Sequence, residues 1–175
     1  VFTALACTAL ACAGQSTPLV SPTETPPAPE GASEGPTPPG LRLPEVALPR
    51  RQAVRLRLVP TEEAFSGSTE IDLDVRAATD VIWLHASGLT ITQAELIADG
   101  PPLPLRPQVS DEFLALSAGK RIGQGSYRLS ISFTGKLPAR EGGGAYRQDE
   151  NGDWYIFTQF EATNARRAFP CFDEP

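Results

Sequence analysis

The sequence predicts an all-β domain over residues 50–175, built as one antiparallel sheet or two packed sheets of about seven or eight strands. Two observations support this class. Apolar and polar residues alternate in several windows, which is the period of a half-buried antiparallel strand. Turn sequences rich in glycine and acidic residues separate these windows, and no window has the apolar period of a long amphipathic helix.

Strict alternation marks three strands, which have the sequences QAVRLRLV at 52–59, TEIDLDVR at 69–76 and YRLSISF at 127–133. The apolar run VIWLHA at 81–86 is continuous, so we expect it to lie deeper in the core. Shorter or less regular strands are expected at LTITQAELI, PLPLRP and EFLALS, and the last strand at WYIFTQFE. The segments FSGS, ADGPP, GKRIGQGS, REGGGA and DENGD are expected to form the hairpins and loops between them.

The charge balance argues against a polyanionic partner. The net charge of the 175 residues is −6, and residues 50–175 contain 14 Lys and Arg against 17 Asp and Glu. This domain therefore has neither the basic surface of a nucleic-acid-binding protein nor a polybasic membrane patch. We expect no nucleic-acid partner and an acidic surface in contact with solvent.

A short apolar segment stands at the start of the chain. Residues 1–12 are rich in small residues, too short to span a bilayer, and typical of the end of a secretory signal peptide. ALAC ending at Cys12 resembles a bacterial lipobox, whose cysteine is lipidated, although Ala9 stands where leucine is commonest. ALAC ending at Cys7 and simple cleavage without a lipid are the alternatives. The sequence predicts export from a bacterial cell, as a membrane-anchored lipoprotein or as a periplasmic or extracellular protein.

Residues 13–49 have the composition of a linker. Ten of the eighteen prolines lie here, among Ser, Thr and Glu, and few large apolar residues offset the entropy of ordering the chain. We expect a disordered Pro-rich tether, with a PxxP-type ligand for a partner domain as the alternative. Because the chain begins with Val1 and ends inside an organised stretch, we expect it to be part of a longer protein.

The lone cysteine and the lone histidine of the domain are both expected to be structural. Cys171 is the only cysteine after Cys12, so it has no disulfide partner within the domain and is predicted to be a buried small residue. His85 has no ligand neighbours at metal-binding spacing and is expected at a strand end. Ser66 and the glycines at 123–126 and 142–144 are predicted to be turn residues. We expect no catalytic and no metal-binding residue in this part of the protein.

The closing stretch FTQFEATNARRAFPCFDEP contains the candidate site. If WYIFTQFE is extended throughout, Gln159 and Glu161 emerge together on one face of the strand and Phe160 lies on the other face. ATNARRAF is then expected to form a helical turn capped by Thr163 and ended by Pro170.

Spacing alone leaves two interpretations of these polar residues. In the first, Gln159 and Glu161 belong to a solvent-exposed face, and Arg166 or Arg167 pairs locally with the acids of FDEP. In the second, the two residues serve a ligand that another part of the protein helps to hold.

The motif TQFEATNARRAFPCFDEP closely resembles the signature near the end of the N-terminal domain in zinc aminopeptidases of the aminopeptidase N family, which are gluzincins. RLRLVPTEEAFSGSTEIDLDV resembles the opening hairpin of that domain, IWLHASGLTI its next strand pair, and YRLSISFTGKL with GAYR its later strands. The resemblance covers about residues 50–175. It implies a saddle-like β-domain packed against a thermolysin-like catalytic domain, with further strands after FDEP, so that the domain is incomplete at its C-terminus here.

The resemblance also implies roles for individual residues. Glu161 would bind the free α-amine of a peptide substrate, Gln159 would contact the backbone of the first substrate residue, and Phe160 would be a core residue. RRAFPCFDEP would be a structural turn whose charged groups hold the strand end in place. Zinc would belong to the downstream catalytic domain with its G-A-M-E-N and H-E-x-x-H motifs, where it would activate the attacking water.

The resemblance therefore implies the substrate-binding domain of an exported zinc-dependent aminopeptidase, inactive by itself. Its expected partners are peptides with a free N-terminus, its own downstream catalytic domain and, through Cys12, a membrane. The alternative is a non-catalytic β-sandwich scaffold or interaction module of the same family, which keeps the fold and lacks the zinc site.

Overall fold

A computed structural model describes residues 35–140 and 142–174, and within these ranges the protein is almost entirely antiparallel β-structure, as predicted. The predicted lipidation site Cys12, the signal segment and most of the predicted linker lie outside the described residues. The described elements are β1 (Ala47–Arg57), β2 (Ala64–Val75), β3 (Thr79–His85), β4 (Leu89–Ile97), β5 (Leu103–Pro104), β6 (Arg106–Ser110), β7 (Phe113–Ile122), β8 (Gly125–Lys136), β9 (Gly144–Glu150), β10 (Asp153–Gln159) and a 3₁₀ helix (Ala165–Arg167).

The strands form three sheets. A five-stranded sheet has the order β1-β2-β8-β4-β5, a three-stranded sheet has the order β3-β7-β6, and β9 and β10 form a separate hairpin. Buried residues of the five-stranded sheet and of the three-stranded sheet belong to one hydrophobic cluster. The two larger sheets therefore share one core, in a sandwich-like arrangement.

The alternating windows place this core as predicted. Ile71 of β2 pairs with Leu129 of β8, and both side chains are fully buried. On the other face of the same strands, Arg128 donates to Asp72 at 2.9 Å, and this pair lies in contact with solvent. One face therefore supplies the apolar surface that is buried against the second sheet, while the exposed ion pairs contribute little to stability.

Several differences from the sequence prediction concern strand boundaries. The predicted turn FSGS lies inside β2, where Ser66 pairs with Arg57 and Thr134. The predicted loop GKRIGQGS consists largely of the end of β7 and the start of β8. β1 begins at Ala47, before the predicted domain start. Leu43 is already buried, and its backbone N–H donates to Glu174 Oε1 at 2.8 Å. The predicted strand PLPLRP is divided into β5 and β6, which belong to different sheets. Leu105 between them is buried, and its N–H donates to Ala94 O at 2.8 Å.

The alternation of apolar and polar residues did not predict β9, whereas the resemblance of GAYR to a later strand of the family domain did. With this strand and the division at Leu105, the described ranges contain ten strands in place of about seven or eight.

The structure describes no helix that is long and apolar enough to cross a membrane.

Candidate functional site

Gln159 and Glu161 are placed by two different elements. Gln159 is the last residue of β10 and is half-buried, whereas Glu161 is exposed and lies in the turn that follows. The Asn164 backbone N–H donates to Phe160 O at 2.8 Å, and Asn164 Nδ2 donates to Glu161 O at 2.6 Å. The prediction that WYIFTQFE is extended through Glu161 is therefore wrong, because the backbone turns after Gln159.

The turn also changes the position of Phe160. This residue was expected in the core, but its side chain is 37% exposed. Its ring packs edge-to-face against Phe169, with the ring centroids 5.7 Å apart. Because Phe160 lies beyond the last paired residue of β10, it no longer follows the alternation of the strand, and the prediction of a core position is corrected to a partly exposed contact with Phe169.

Aromatic residues lie on the same face of the β9–β10 hairpin as Gln159. Tyr155 and Phe157 lie at alternate positions of β10 before Gln159 and are 50% and 45% exposed. Tyr146 of β9 pairs directly with Phe157, and the two rings stack with centroids 5.7 Å apart. We call Tyr146, Tyr155 and Phe157 the aromatic face. It is an unusual concentration of exposed ring surface next to a polar strand end.

The 3₁₀ helix is held by a buried arginine. Arg166 is 6% exposed, and its Nη1 donates to Glu112 Oε2 at 2.8 Å. Its Nε and Nη2 both donate to Asp173 Oδ2, at 3.2 Å and 3.0 Å. The backbone N–H of Ser87 donates to Arg166 O at 2.8 Å. The predicted local pairing of Arg166 with Asp173 is confirmed, and the structure adds the distant partner Glu112.

The other predicted contacts of this turn differ. Asn164, and not Thr163, stands at the N-cap of the 3₁₀ helix, and it makes no side-chain capping bond. Arg167 does not pair with an acid of FDEP among the bonds that the structure describes. Its guanidinium donates to the carbonyl oxygen of Gly142 in the glycine run before β9. Neither arginine forms an ion pair with Glu161 among the described residues.

The segment after the 3₁₀ helix pairs with the C-terminal end of β3 through a short antiparallel bridge. His85 and Cys171 exchange backbone hydrogen bonds in an antiparallel bridge, at 2.8 Å and 3.0 Å. The Asp173 N–H then donates to His85 Nδ1 at 3.2 Å. Cys171 is 5% exposed, and burial, assisted by the charge of Asp173, raises the pKa of its thiol to about 12. A thiol with that pKa is not a nucleophile at neutral pH, in agreement with the structural role expected for Cys171.

His85 is the buried centre of this junction, at the strand end where the sequence predicts it. Its imidazole packs against Phe113, with the ring centroids 5.3 Å apart, and Nε2 lies 3.8 Å from Glu174 Oε1. Burial lowers the pKa of His85, and the charge of Arg166 lowers it further against the opposing effects of Glu174, Asp173 and Glu112. The folded protein therefore favours the neutral imidazole.

A second buried arginine fixes the hairpin, and the sequence pattern did not reveal it. Arg147 of β9 is 6% exposed, and its Nη2 donates to Glu63 Oε1 at 2.9 Å. Its Nη1 donates to Thr61 O at 3.3 Å, and its guanidinium lies 4.3 Å from the ring centroid of Trp154. The anchoring role of Arg147 depends on its ion pair with Glu63, which is 84 residues away in sequence, so local spacing could not have predicted this role.

The charge of Glu161 is left without a partner. None of the ion pairs formed among residues 35–140 and 142–174 includes Glu161. Glu112 and Asp173 are occupied by Arg166, and Glu63 is occupied by Arg147. Glu161 is thus an exposed carboxylate beside the polar end of β10, and it is free to accept a cation from outside the domain.

The described residues do not fit a zinc ion. No group of three or more His, Cys, Asp or Glu side chains within these ranges is arranged to hold a metal. His85 is buried, with Nδ1 accepting from Asp173, so it has no open coordination position on that nitrogen. No step that involves zinc can be assigned to these residues.

Comparison with known proteins identifies the class to which this fold and strand end belong. The model of the peptidase M1 N-terminal domain matches residues 48–175. The chain is 36% identical over 146 residues to Aminopeptidase M1 of Arabidopsis thaliana, 35% over 143 residues to the puromycin-sensitive aminopeptidase of Caenorhabditis elegans, and 33% over 147 residues to endoplasmic reticulum aminopeptidase 1 of Rattus norvegicus.

The three matches cover 77% of this chain and 15–16% of each relative. The chain belongs to the M1 aminopeptidase family and corresponds to its N-terminal domain, as the signature at its C-terminal end indicated. It spans about a sixth of the length of the curated relatives that it matches.

We expect the buried neutral His85 to make the stability of the protein depend on pH. Its folded pKa is lowered, so its contribution is fully present above the unfolded pKa of about 6.5 and is lost as the pH falls through the folded pKa. Melting temperatures measured on both sides of pH 6.5 should therefore fall towards acid. In His85→Asn, Oδ1 can still accept from Asp173, and this part of the pH dependence should disappear. An unchanged pH profile in His85→Asn would contradict the assignment.

Proposed function

We propose that this chain is the substrate-binding N-terminal domain of an exported zinc aminopeptidase, in which the Glu161 carboxylate holds the α-ammonium group of a peptide. Gln159 contacts the backbone of the first substrate residue beside it. The observation that supports this proposal best is the unpaired charge of Glu161, since both neighbouring arginines bind other groups. Family membership adds support, because the named relatives are aminopeptidases.

The chemistry of the two groups suits this task. A free peptide N-terminus is largely cationic near neutral pH, and a carboxylate forms a charge-assisted hydrogen bond with it. Closure of a second domain over Glu161 would exclude water and strengthen this attraction. A blocked N-terminus or an internal peptide bond offers no such cation. An anchor of this kind therefore favours removal of single residues from the N-terminus over internal cleavage.

The rest of the activity is assigned to the part of the protein outside this chain. The relatives are about six times longer than the matched region, which leaves room for a catalytic domain. The aromatic face lies next to Gln159, with Tyr155 and Phe157 exposed and Tyr146 half-buried, and we propose that the catalytic domain covers it. Zinc, if bound there, would act as the Lewis acid of the hydrolysis. The residues of this domain would bind and orient the peptide.

Replacement of Glu161 tests the amine anchor. In the full-length enzyme, Glu161→Ala removes a charge-assisted bond of about 1.5–3 kcal/mol, so kcat/KM for an amino-acid anilide should fall roughly ten- to a hundred-fold. Part of the loss should appear in kcat, since a loosely held amine misplaces the scissile bond. Gln159→Ala should have a smaller effect, because a neutral amide forms a weaker bond.

Glu161→Gln is the matched control, since it keeps the size and the hydrogen-bonding oxygen and loses only the charge. Its activity should resemble that of Glu161→Ala more than that of the unchanged enzyme. Zinc content and melting temperature should be unchanged in all three variants. Near-normal kcat/KM for Glu161→Ala would refute the anchor, whereas an unchanged full-length protein without peptidase activity would favour the alternative of a scaffold module.

We further propose that the full precursor is attached to a membrane through a lipid on Cys12, followed by the Pro-rich segment as a spacer. Cys12→Ala should release the protein from the membrane fraction and remove the lipid mass from its N-terminal peptide. Cys7→Ala is the matched control and should leave attachment unchanged. If the unchanged protein is already free of lipid and membrane, simple signal cleavage is the correct account.

A further inference from the structure

We propose that Gly144 is a positioning residue, which allows the 3₁₀ helix to close against β9 and thereby sets the place of the Glu161 turn relative to Gln159. This inference rests on the proposed function, because it concerns the geometry of the same two substrate-binding groups. Gly144 is the first residue of β9 and the cross-strand partner of Gln159 in the hairpin. It therefore lies between the polar strand end and the helix that follows the turn.

The contact with the helix leaves no room for a side chain at Gly144. A Cβ atom there would lie 2.9 Å from Arg167 Cβ, 3.4 Å from the Arg167 carbonyl carbon and 3.5 Å from Asn164 O. These are atoms of the helix backbone or attached directly to it, so they cannot move aside as the end of a flexible side chain can. Gly144 also has a φ of +77°, which disfavours any L side chain.

The neighbouring residues form the same kind of contact. A Cβ atom at Gly143 would overlap the side-chain amide of Asn164, and the Arg167 guanidinium donates to Gly142 O. The glycine run before β9 thus acts as a side-chain-free surface for the segment from Asn164 to Arg167. Gly144 also has no side chain, so Gln159 has no cross-strand side-chain neighbour at its own register position.

The bonds of Arg166 hold the side of the helix that faces away from Gly144. A clash between a side chain at Gly144 and the helix would therefore be transmitted to the Glu161 turn. Arg166 is buried and bonded to Glu112 and Asp173, and its carbonyl oxygen accepts from Ser87. Displacement of the helix in that direction would break these bonds. Residues 161–163 are exposed, and the side-chain bond described for this turn, from Asn164 Nδ2 to Glu161 O, lies within the turn itself, so the turn would absorb most of the movement. A side chain at Gly144 should therefore displace the Glu161 carboxylate.

Gly152, at the tip of the same hairpin, provides a matched control. It has a φ of +97°, but a Cβ atom there would meet nothing within 4 Å. Gly152→Ala and Gly144→Ala therefore introduce similar backbone strain, and only Gly144→Ala adds the contact with the helix. A difference between the two variants measures the effect of that contact.

The experiment compares both variants in the full-length enzyme. The measurements are melting temperature, kcat and KM for an amino-acid anilide, and inhibition by an amino-acid amide against its analogue without the amine. Gly152→Ala should keep near-normal kinetics. Gly144→Ala should lose roughly ten-fold or more in kcat/KM and should lose most of its preference for the amine-bearing inhibitor, as a displaced anchor requires.

Removal of the clashing atom on the helix side should restore the activity. In the double variant Gly144→Ala/Arg167→Gly the Cβ of Arg167 is absent, so its amine preference should return towards that of Arg167→Gly alone. If Gly144→Ala fails to fold, the double variant provides the test. The proposal requires the double variant to fold and to recover the preference for the amine-bearing inhibitor. A double variant that is also unfolded would overturn the proposal.

Equal kinetic losses in Gly144→Ala and Gly152→Ala would also overturn it, as would an unchanged amine preference in Gly144→Ala. The proposed function fails separately, if Glu161→Ala itself keeps the full preference for the amine. If Glu161→Ala loses that preference and Gly144→Ala retains it, only the positioning role of Gly144 is excluded.

Discussion

The buried guanidinium of Arg166 is the interaction on which the end of this domain depends. It joins the 3₁₀ helix to Glu112 in the turn before β7 and to Asp173 near the C-terminal end of the described chain. The 3₁₀ helix, the nearby Asp173 and the distant Glu112 meet at this one side chain. Loss of both partners would leave the buried guanidinium uncompensated, a situation that typically costs about 3–5 kcal/mol. The pairing of Cys171 with the end of β3 lies beside the same cluster.

This arrangement has a consequence for the electrostatics of the strand end. Because Arg166 is bound to Glu112 and Asp173, and Arg167 is bound to Gly142 O, Glu161 is not neutralised by the cations closest to it in sequence. Arg147 anchors the hairpin that carries Gln159 in a similar way. Arg147, Arg166 and Arg167 are thus held in internal contacts, and the Glu161 carboxylate stays exposed and unpaired, which is the property that an amine anchor needs.

The sequence predicted the alternating strands well, because the residues that pack together follow a local period, as Ile71 and Leu129 do. It did not predict the change of sheet at Leu105 or the turn after Gln159, since both depend on contacts with distant segments. For the same reason Phe160 was wrongly expected in the core. The candidate site residues came from the resemblance of the closing motif, whereas the link from Arg166 to Glu112 and the contact of Gly144 with Arg167 have no local signal in the sequence.

In the proposed role, Glu161 presents an uncompensated charge to the cationic group of a ligand. Equilibrium binding of an amino-acid amide and of its analogue without the amine, measured by calorimetry on the unchanged full-length protein and on Glu161→Gln, separates this role from a structural one. The unchanged protein should prefer the amine-bearing ligand by roughly ten-fold or more, and the preference should largely disappear in Glu161→Gln. An equal preference in both proteins would contradict the claim.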